Sequence, residues 1–186
     1  MDAEMYARVV ERTGDVVRNT RVDQLGDSTP CPEWDVRTLL NHLIDGMVAV
    51  SAGVSGEKTE VDSGVDHAAD DHVGAFERAS KGALEAFSEP GVLDKNIAMP
   101  WGDTPGAVVL GLVLTDCVVH GWDLAQATGQ QIVIDDDAAE AIYGMTAKMM
   151  QPKGSFPRGD RFAEPVEVAE DAPPADKMLA YMGRQP

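Results

Sequence analysis

The segment TDCVVHGWDLA, residues 115–125, carries the side chains best suited to chemistry. Asp116 and His120 are four residues apart, so on a helix they project from one face. Asp123 follows three residues later, close to that face. All of them interrupt an apolar run, and a buried carboxylate or imidazole needs a partner. A divalent cation would satisfy Asp116 and His120 together, one offering oxygen and the other nitrogen. A plain hydrogen bond between the two is the structural alternative. Asp123 suits a supporting role, either holding a ligand histidine or bonding a neighbouring helix.

His42, in LLNHLIDG, extends the set. Gly46 follows one helical turn later and leaves room beside the imidazole. Two antiparallel helices would bring His42 opposite Asp116 and His120. That triad offers two nitrogens and one carboxylate oxygen and leaves a coordination position for water or substrate. A core histidine bonded to a carbonyl is the competing reading. Cys31 stands between Pro30 and Pro32, which fix its direction. It suits a nucleophile, a soft metal ligand or a structural cysteine. Cys117 lies about 100 degrees around the helix from Asp116 and is expected in the core. His67 and His72 share no helical face and are expected to be solvated. There is no CxxC, no glycine-rich phosphate loop and no Rossmann fingerprint. Spacing gives no serine–histidine–acid arrangement.

Helices must position these residues. Met5, Val9, Val10, Thr13, Val16 and Val17 predict a first helix from Ala3 to Thr20. Asp35 fits the cap of a second, with Leu39, Leu40, Leu43, Ile44, Met47 and Val48 as its stripe. Trp34, just before that cap, is expected to fold back toward Leu39 as in a hydrophobic staple. Residues 57–69 read as a polar surface loop, and Asp70 to Ser88 as a third helix stopped by Pro90 and Gly91. Val92 to Asp103 reads as a connection that packs back on the body. Thr104 and Pro105 predict a capped start for a fourth helix reaching Thr128, with Gly129 at its end. That helix is apolar almost all round, as a central helix should be. Ile132 to Ile134 reads as a short extended stretch. A fifth helix is expected after Asp135, reaching Met150. An irregular tail over 154–173 and a last short helix from Pro174 to Met182 complete the reading. The fold class is all-α: an up-and-down four-helix bundle with short C-terminal additions, as one domain over 1–186.

The chain has 186 residues, 44% hydrophobic and 25% charged, which suits one folded domain. Its formal net charge of -17 opposes phosphate backbones and anionic lipid, so neither nucleic acid nor membrane is an expected partner. The longest apolar run, VVLGLVLT, is too short to span a bilayer, and MDAEMYARVV lacks the pattern of a signal peptide. A cytoplasmic location is expected. The charge also opposes self-association, leaving monomer and homodimer both open. With only Cys31 and Cys117, a disulfide scaffold is excluded and a single bridge stays open.

TPCPEWDVRTLLNHL at 29–43 together with DCVVHGWDLAQATG at 116–129 resembles the mycothiol-dependent maleylpyruvate isomerase N-terminal domain family, of the DinB-like superfamily. The closing stretch PVEVAEDAPPADKMLAYMGRQP resembles a small single-domain branch described as metal-binding. The resemblance implies a DinB-like four-helix bundle with a metal near one end. It implies His42 and His120 as ligands and puts Asp116 where the isomerase has glutamate. Aspartate is one methylene shorter, so either direct coordination or an intervening water fits. The resemblance also implies Zn²⁺, with Ni²⁺ and Fe²⁺ suiting the same donors, and mycothiol or another low-molecular-weight thiol acting on a small electrophile. Maleylpyruvate isomerisation itself is not expected, because the isomerase uses a second, C-terminal domain for which this sequence leaves no room. The expectation is a metal- and thiol-dependent transferase or isomerase, with a non-catalytic metal-binding or stress-associated helical module as the alternative.

Overall fold

A computed structural model describes residues 1–57, 63–151, 158 and 162–186. Parts of the expected loop at 57–69 and of the expected tail at 154–173 lie outside the described residues. The chain gathers into two compact units, Met1–Ile132 and Val133–Pro186. The first contains helices α1 (Ala3–Asn19), α2 (Val36–Val54), α3 (Ala68–Phe87) and α4 (Gly106–Thr128), with a hairpin of β1 (Asn96–Met99) and β2 (Gly102–Pro105). The second contains α5 (Asp136–Met149) and α6 (Pro174–Tyr181). The all-α fold class stands, with a two-stranded antiparallel sheet added.

The four helices of the first unit close a ring. α1 packs on α3 and α4, and α2 packs on the same two. Each contributes one apolar stripe. Tyr6, Val9, Val16 and Val17 come from α1, and Leu39, Leu40, Leu43, Ile44 and Met47 from α2. Phe76, Ala79, Ala83 and Phe87 come from α3, and Val109, Leu110, Leu114, Cys117, Val118 and Leu124 from α4. α4 is long and apolar enough to cross a membrane by length and composition, but 67% of its most apolar window is buried. Such burial is what the central helix of a folded unit requires.

Polar contacts set the spacing. The Thr13 hydroxyl of α1 donates to the Cys117 carbonyl of α4 at 2.9 Å. A Cβ on Gly121 would come within 2.9 Å of that same hydroxyl oxygen, so only glycine lets the helices approach this closely. α2 opens as expected, the Asp35 carboxylate accepting from the Thr38 amide at 2.8 Å. Inside α3, Asp71 leaves helical geometry at φ -154 and ψ 75, and its carboxylate accepts from the Gly74 amide at 2.8 Å. The α3 body is thereby capped anew.

Several expectations are corrected. The connection over Val92 to Asp103 contains a 3-10 turn and β1, followed by the first half of β2. Ile97 and Met99 turn inward, and Gly53 of α2 lets β1 approach, since a Cβ there would meet the Ala98 carbonyl at 2.7 Å. Thr104 does not cap α4. It pairs with Ile97 in the sheet, and its hydroxyl accepts from the Trp101 indole N–H at 3.0 Å. Its side chain is therefore committed to the hairpin, and the helix starts at Gly106, whose amide donates to the Lys95 carbonyl at 2.7 Å. The α4 end is as expected, with Gly129 at φ 69. Residues 132–134 form no strand.

His67 and His72 are not solvated. His72 is buried, and its Nε2 donates to the Thr20 carbonyl at 3.0 Å, tying the start of α3 to the end of α1. His67 donates from Nε2 to Asp45 at 2.9 Å. Asp45 also accepts from the Ser63 hydroxyl at 2.8 Å and the Ser63 amide at 2.9 Å.

In the second unit α5 packs on α6. Tyr143 meets Tyr181 edge-on at 5.2 Å, and the Arg158 guanidinium lies 4.8 Å from the Tyr181 ring centre. α6 ends before Gly183, whose φ of 82 suits glycine alone.

Candidate metal centre

Helix α2 contributes His42 and helix α4 contributes Asp116 and His120, all half-buried. The four-residue spacing in α4 sets its two side chains on one face, and the packing of α2 on α4 brings His42 to them. One donor atom from each residue lies within 4.8 Å of the others. The imidazoles of His42 and His120 meet edge to face, with ring centres 5.3 Å apart. The shorter carboxylate of Asp116 still reaches this cluster. Two imidazole nitrogens and one carboxylate oxygen converging from two helices match the donor chemistry of a divalent cation.

Asp123 lies beneath His120. It is fully buried, and its Oδ2 sits 3.0 Å from His120 Nδ1. A carboxylate only accepts, so Nδ1 carries the proton and the lone pair falls on Nε2. This is the arrangement in which a carboxylate orients a ligand histidine. Of the two roles read for Asp123 in the sequence, the structure places it against the histidine.

The loop before α2 supplies two more side chains. An isolated bridge between Ser28 and Asp35 closes it, and the Asp27 and Leu25 carbonyls accept from the Val36 and Arg37 amides. Inside, the Thr29 hydroxyl accepts from the Cys31 amide at 3.1 Å and donates to the Trp34 carbonyl at 2.8 Å. So held, Cys31 directs its thiol to Asp123 Oδ2 at 3.3 Å, with His120 Nδ1 at 3.9 Å. Trp34 lays its indole against both imidazoles, 4.6 Å from His42 and 5.4 Å from His120 between ring centres.

Cys31 and Cys117 form no disulfide, which settles the open question of a bridge. Cys117 is buried as expected. Burial pushes its thiol above the ordinary range, and the Asp116 charge pushes it further, so it stays protonated and inert. Trp101 lies exposed on the hairpin, 57% accessible. Trp34 is the aromatic residue that composition and spacing did not assign to the site. The signal available was its place in the same short loop as Cys31, immediately before the helix bearing His42.

Residues 6–125 match the family Mycothiol maleylpyruvate isomerase N-terminal domain. The chain is also similar to two proteins from Mycobacterium tuberculosis. One is uncharacterized protein Rv0738 of strain ATCC 25618 / H37Rv, and the other is uncharacterized protein MT0763 of strain CDC 1551 / Oshkosh. Each is 33% identical over 181 residues, covering 96% of this chain and 95% of the relative. No solved structure matches the chain. The matched span includes all four residues of the His42, Asp116, His120 and Asp123 arrangement, and the chain belongs to the mycothiol maleylpyruvate isomerase N-terminal domain family.

Proposed function

We propose that the protein binds a divalent cation at His42, Asp116 and His120. There it activates a low-molecular-weight thiol, mycothiol or a relative, for a transferase or isomerase reaction on a small electrophile. The observation that carries this reading is the convergence of those three donors in a chain of this family. Zn²⁺ is the first choice, with Ni²⁺ and Fe²⁺ suiting the same donors. When bound, such a cation lowers the pKa of a coordinated thiol.

The remaining work falls to the chain. Asp116 supplies negative charge against the cation, and the two imidazoles supply neutral nitrogen. Asp123 fixes the His120 ring and its tautomer. Trp34 covers one side of both rings, which limits water and gives an approaching molecule an apolar wall. Two unbridged thiols accord with the cytoplasmic location that goes with this reading.

The test is turnover of model electrophiles by zinc-loaded protein with a panel of bacterial thiols that includes mycothiol. Thiol-dependent turnover, lost in His42→Ala, is expected. Metal bound with no turnover across the panel supports the second reading, a non-catalytic metal-binding module. The packing of Trp34 against both imidazoles favours that reading, since it narrows the approach to the donors.

A further inference from the structure

The His120 imidazole belongs to two converging donor groups. Beyond the triad, Cys31, Asp123 and His120 form a second converging group that draws on the 31–34 loop rather than on α2. Cys31 Sγ lies 3.3 Å from Asp123 Oδ2 and 3.9 Å from His120 Nδ1, and Nδ1 lies 3.0 Å from Oδ2. A tetrahedral zinc-type ion separates a thiolate from a nitrogen or oxygen ligand by about 3.5 Å, and nitrogen from oxygen by about 3.3 Å. The observed edges therefore differ from those of a coordination tetrahedron by only a few tenths of an ångström. The donors are also mixed in softness: thiolate, imidazole and carboxylate. Asp123 is fully buried, while Cys31 is half-exposed and gives an ion a way in.

We propose that Cys31 Sγ, His120 Nδ1 and Asp123 Oδ2 form a second metal position, selective for thiophilic cations such as Cd²⁺ or Zn²⁺. Binding releases the Cys31 thiol proton to solvent and moves the His120 proton from Nδ1 to Nε2. A neutral imidazole has one nitrogen with a free lone pair. Filling the Cys31 position therefore takes the His120 donor from the His42 and Asp116 position, and the two compete. A thiophilic ion held by Cys31 would thus weaken the triad. This inference does not depend on the thiol chemistry proposed above.

The experiment is a Cd²⁺ titration of apoprotein, following thiolate-to-cadmium ultraviolet absorption and bound metal. It compares wild type, Cys31→Ser, Cys31→Ala and His42→Ala, with far-ultraviolet circular dichroism to confirm folding. The absorption should appear in wild type and in His42→Ala, and should vanish in both Cys31 variants. Its absence from wild type, or its persistence in a folded Cys31 variant, overturns the second position. Parallel Zn²⁺ affinities keep the two readings apart. Cys31→Ser retaining tight zinc while wild type shows no cadmium absorption removes the second position and leaves the triad intact. Zinc lost with Cys31→Ser but kept with His42→Ala removes the triad and leaves the second position as the metal site.

Discussion

Two buried aspartates in this fold each accept a hydrogen bond from a histidine, yet they sit in opposite circumstances. Asp45 of α2 accepts from His67, the Ser63 hydroxyl and the Ser63 amide. Among the described residues these partners are donors arriving from the segment that enters α3, so the group acts as a clasp. Asp123 of α4 accepts from His120 and Cys31, and both of these are themselves potential ligands. Behind His120 stand His42 and Asp116. An aspartate–histidine contact is thus not diagnostic by itself. What separates a site from a clasp is whether the histidine also belongs to a cluster of further donors, as His120 does with His42 and Asp116.

The sharpest test of this difference is metal content. His120→Ala removes the donor shared by both converging groups, so bound metal should fall to near zero by elemental analysis. His67→Ala should keep the wild-type content. Equal loss in both variants would erase the distinction. Next in size, Asp123→Asn leaves the His42, Asp116 and His120 donors in place but loosens the His120 ring. Metal affinity should drop about 10–100-fold, measured by chelator competition, with the fold retained.

Asp45→Ala reverses the pattern. It strands the Ser63 and His67 donors and should cost about 1–3 kcal/mol in urea unfolding of the apoprotein. Its metal stoichiometry should equal that of wild type. The smallest effect belongs to Asp66, the outer edge of the same clasp region. Asn41 donates to it at 3.2 Å and Arg37 at 2.7 Å. The Asn41 bond, with Arg37 assisting, holds its carboxyl below the ordinary value. A lowered folded-state value stabilises the fold above the ordinary aspartate range, and that contribution is lost as pH falls through the lowered value. The group is exposed and the effect small. Asp66→Asn should slightly lower the neutral plateau of thermal stability and so flatten the acid limb, leaving stability at the acid end unchanged.

The helical frame was largely legible in the sequence. α1, α2 and α4 follow apolar stripes, and their ends follow local chemistry such as the Asp35 cap and Gly129. The hairpin was not. Its strands have four residues each, include Gly102 and Pro105, and are held by tertiary packing on Gly53. Thr104 misled for the same reason: its hydroxyl suits a cap, but the sheet claims it first. His67 and His72 looked solvated because their partners, Asp45 and the Thr20 carbonyl, lie 22 and 52 residues away. No local pattern reports contacts of that range.

The candidate site divides along the same line. Asp116 and His120 were readable from helical spacing, and His42 from its place on an apolar helix. The direction of Cys31 and Trp34 was not, because it depends on a loop closed by the Ser28–Asp35 bridge and the Thr29 hydroxyl. Prolines on either side of Cys31 indicate stiffness but give no heading.

Trp34 gives the molecule an optical signature. Its indole is packed against the two imidazoles, whereas Trp101 stands on the surface hairpin, well exposed. Excited-state emission from the first must therefore respond to whatever alters those rings, while emission from the second follows the solvent. A paramagnetic ion arriving at His42 and His120 would dim the first fluorophore and spare the exposed one. Acrylamide in solution would discriminate in the opposite sense. Half-buried Trp122 of α4 is the third emitter, so the protein's ultraviolet fluorescence combines one reporter beside the candidate donors, one on the helix that bears His120 and one on the surface, with no dye attached.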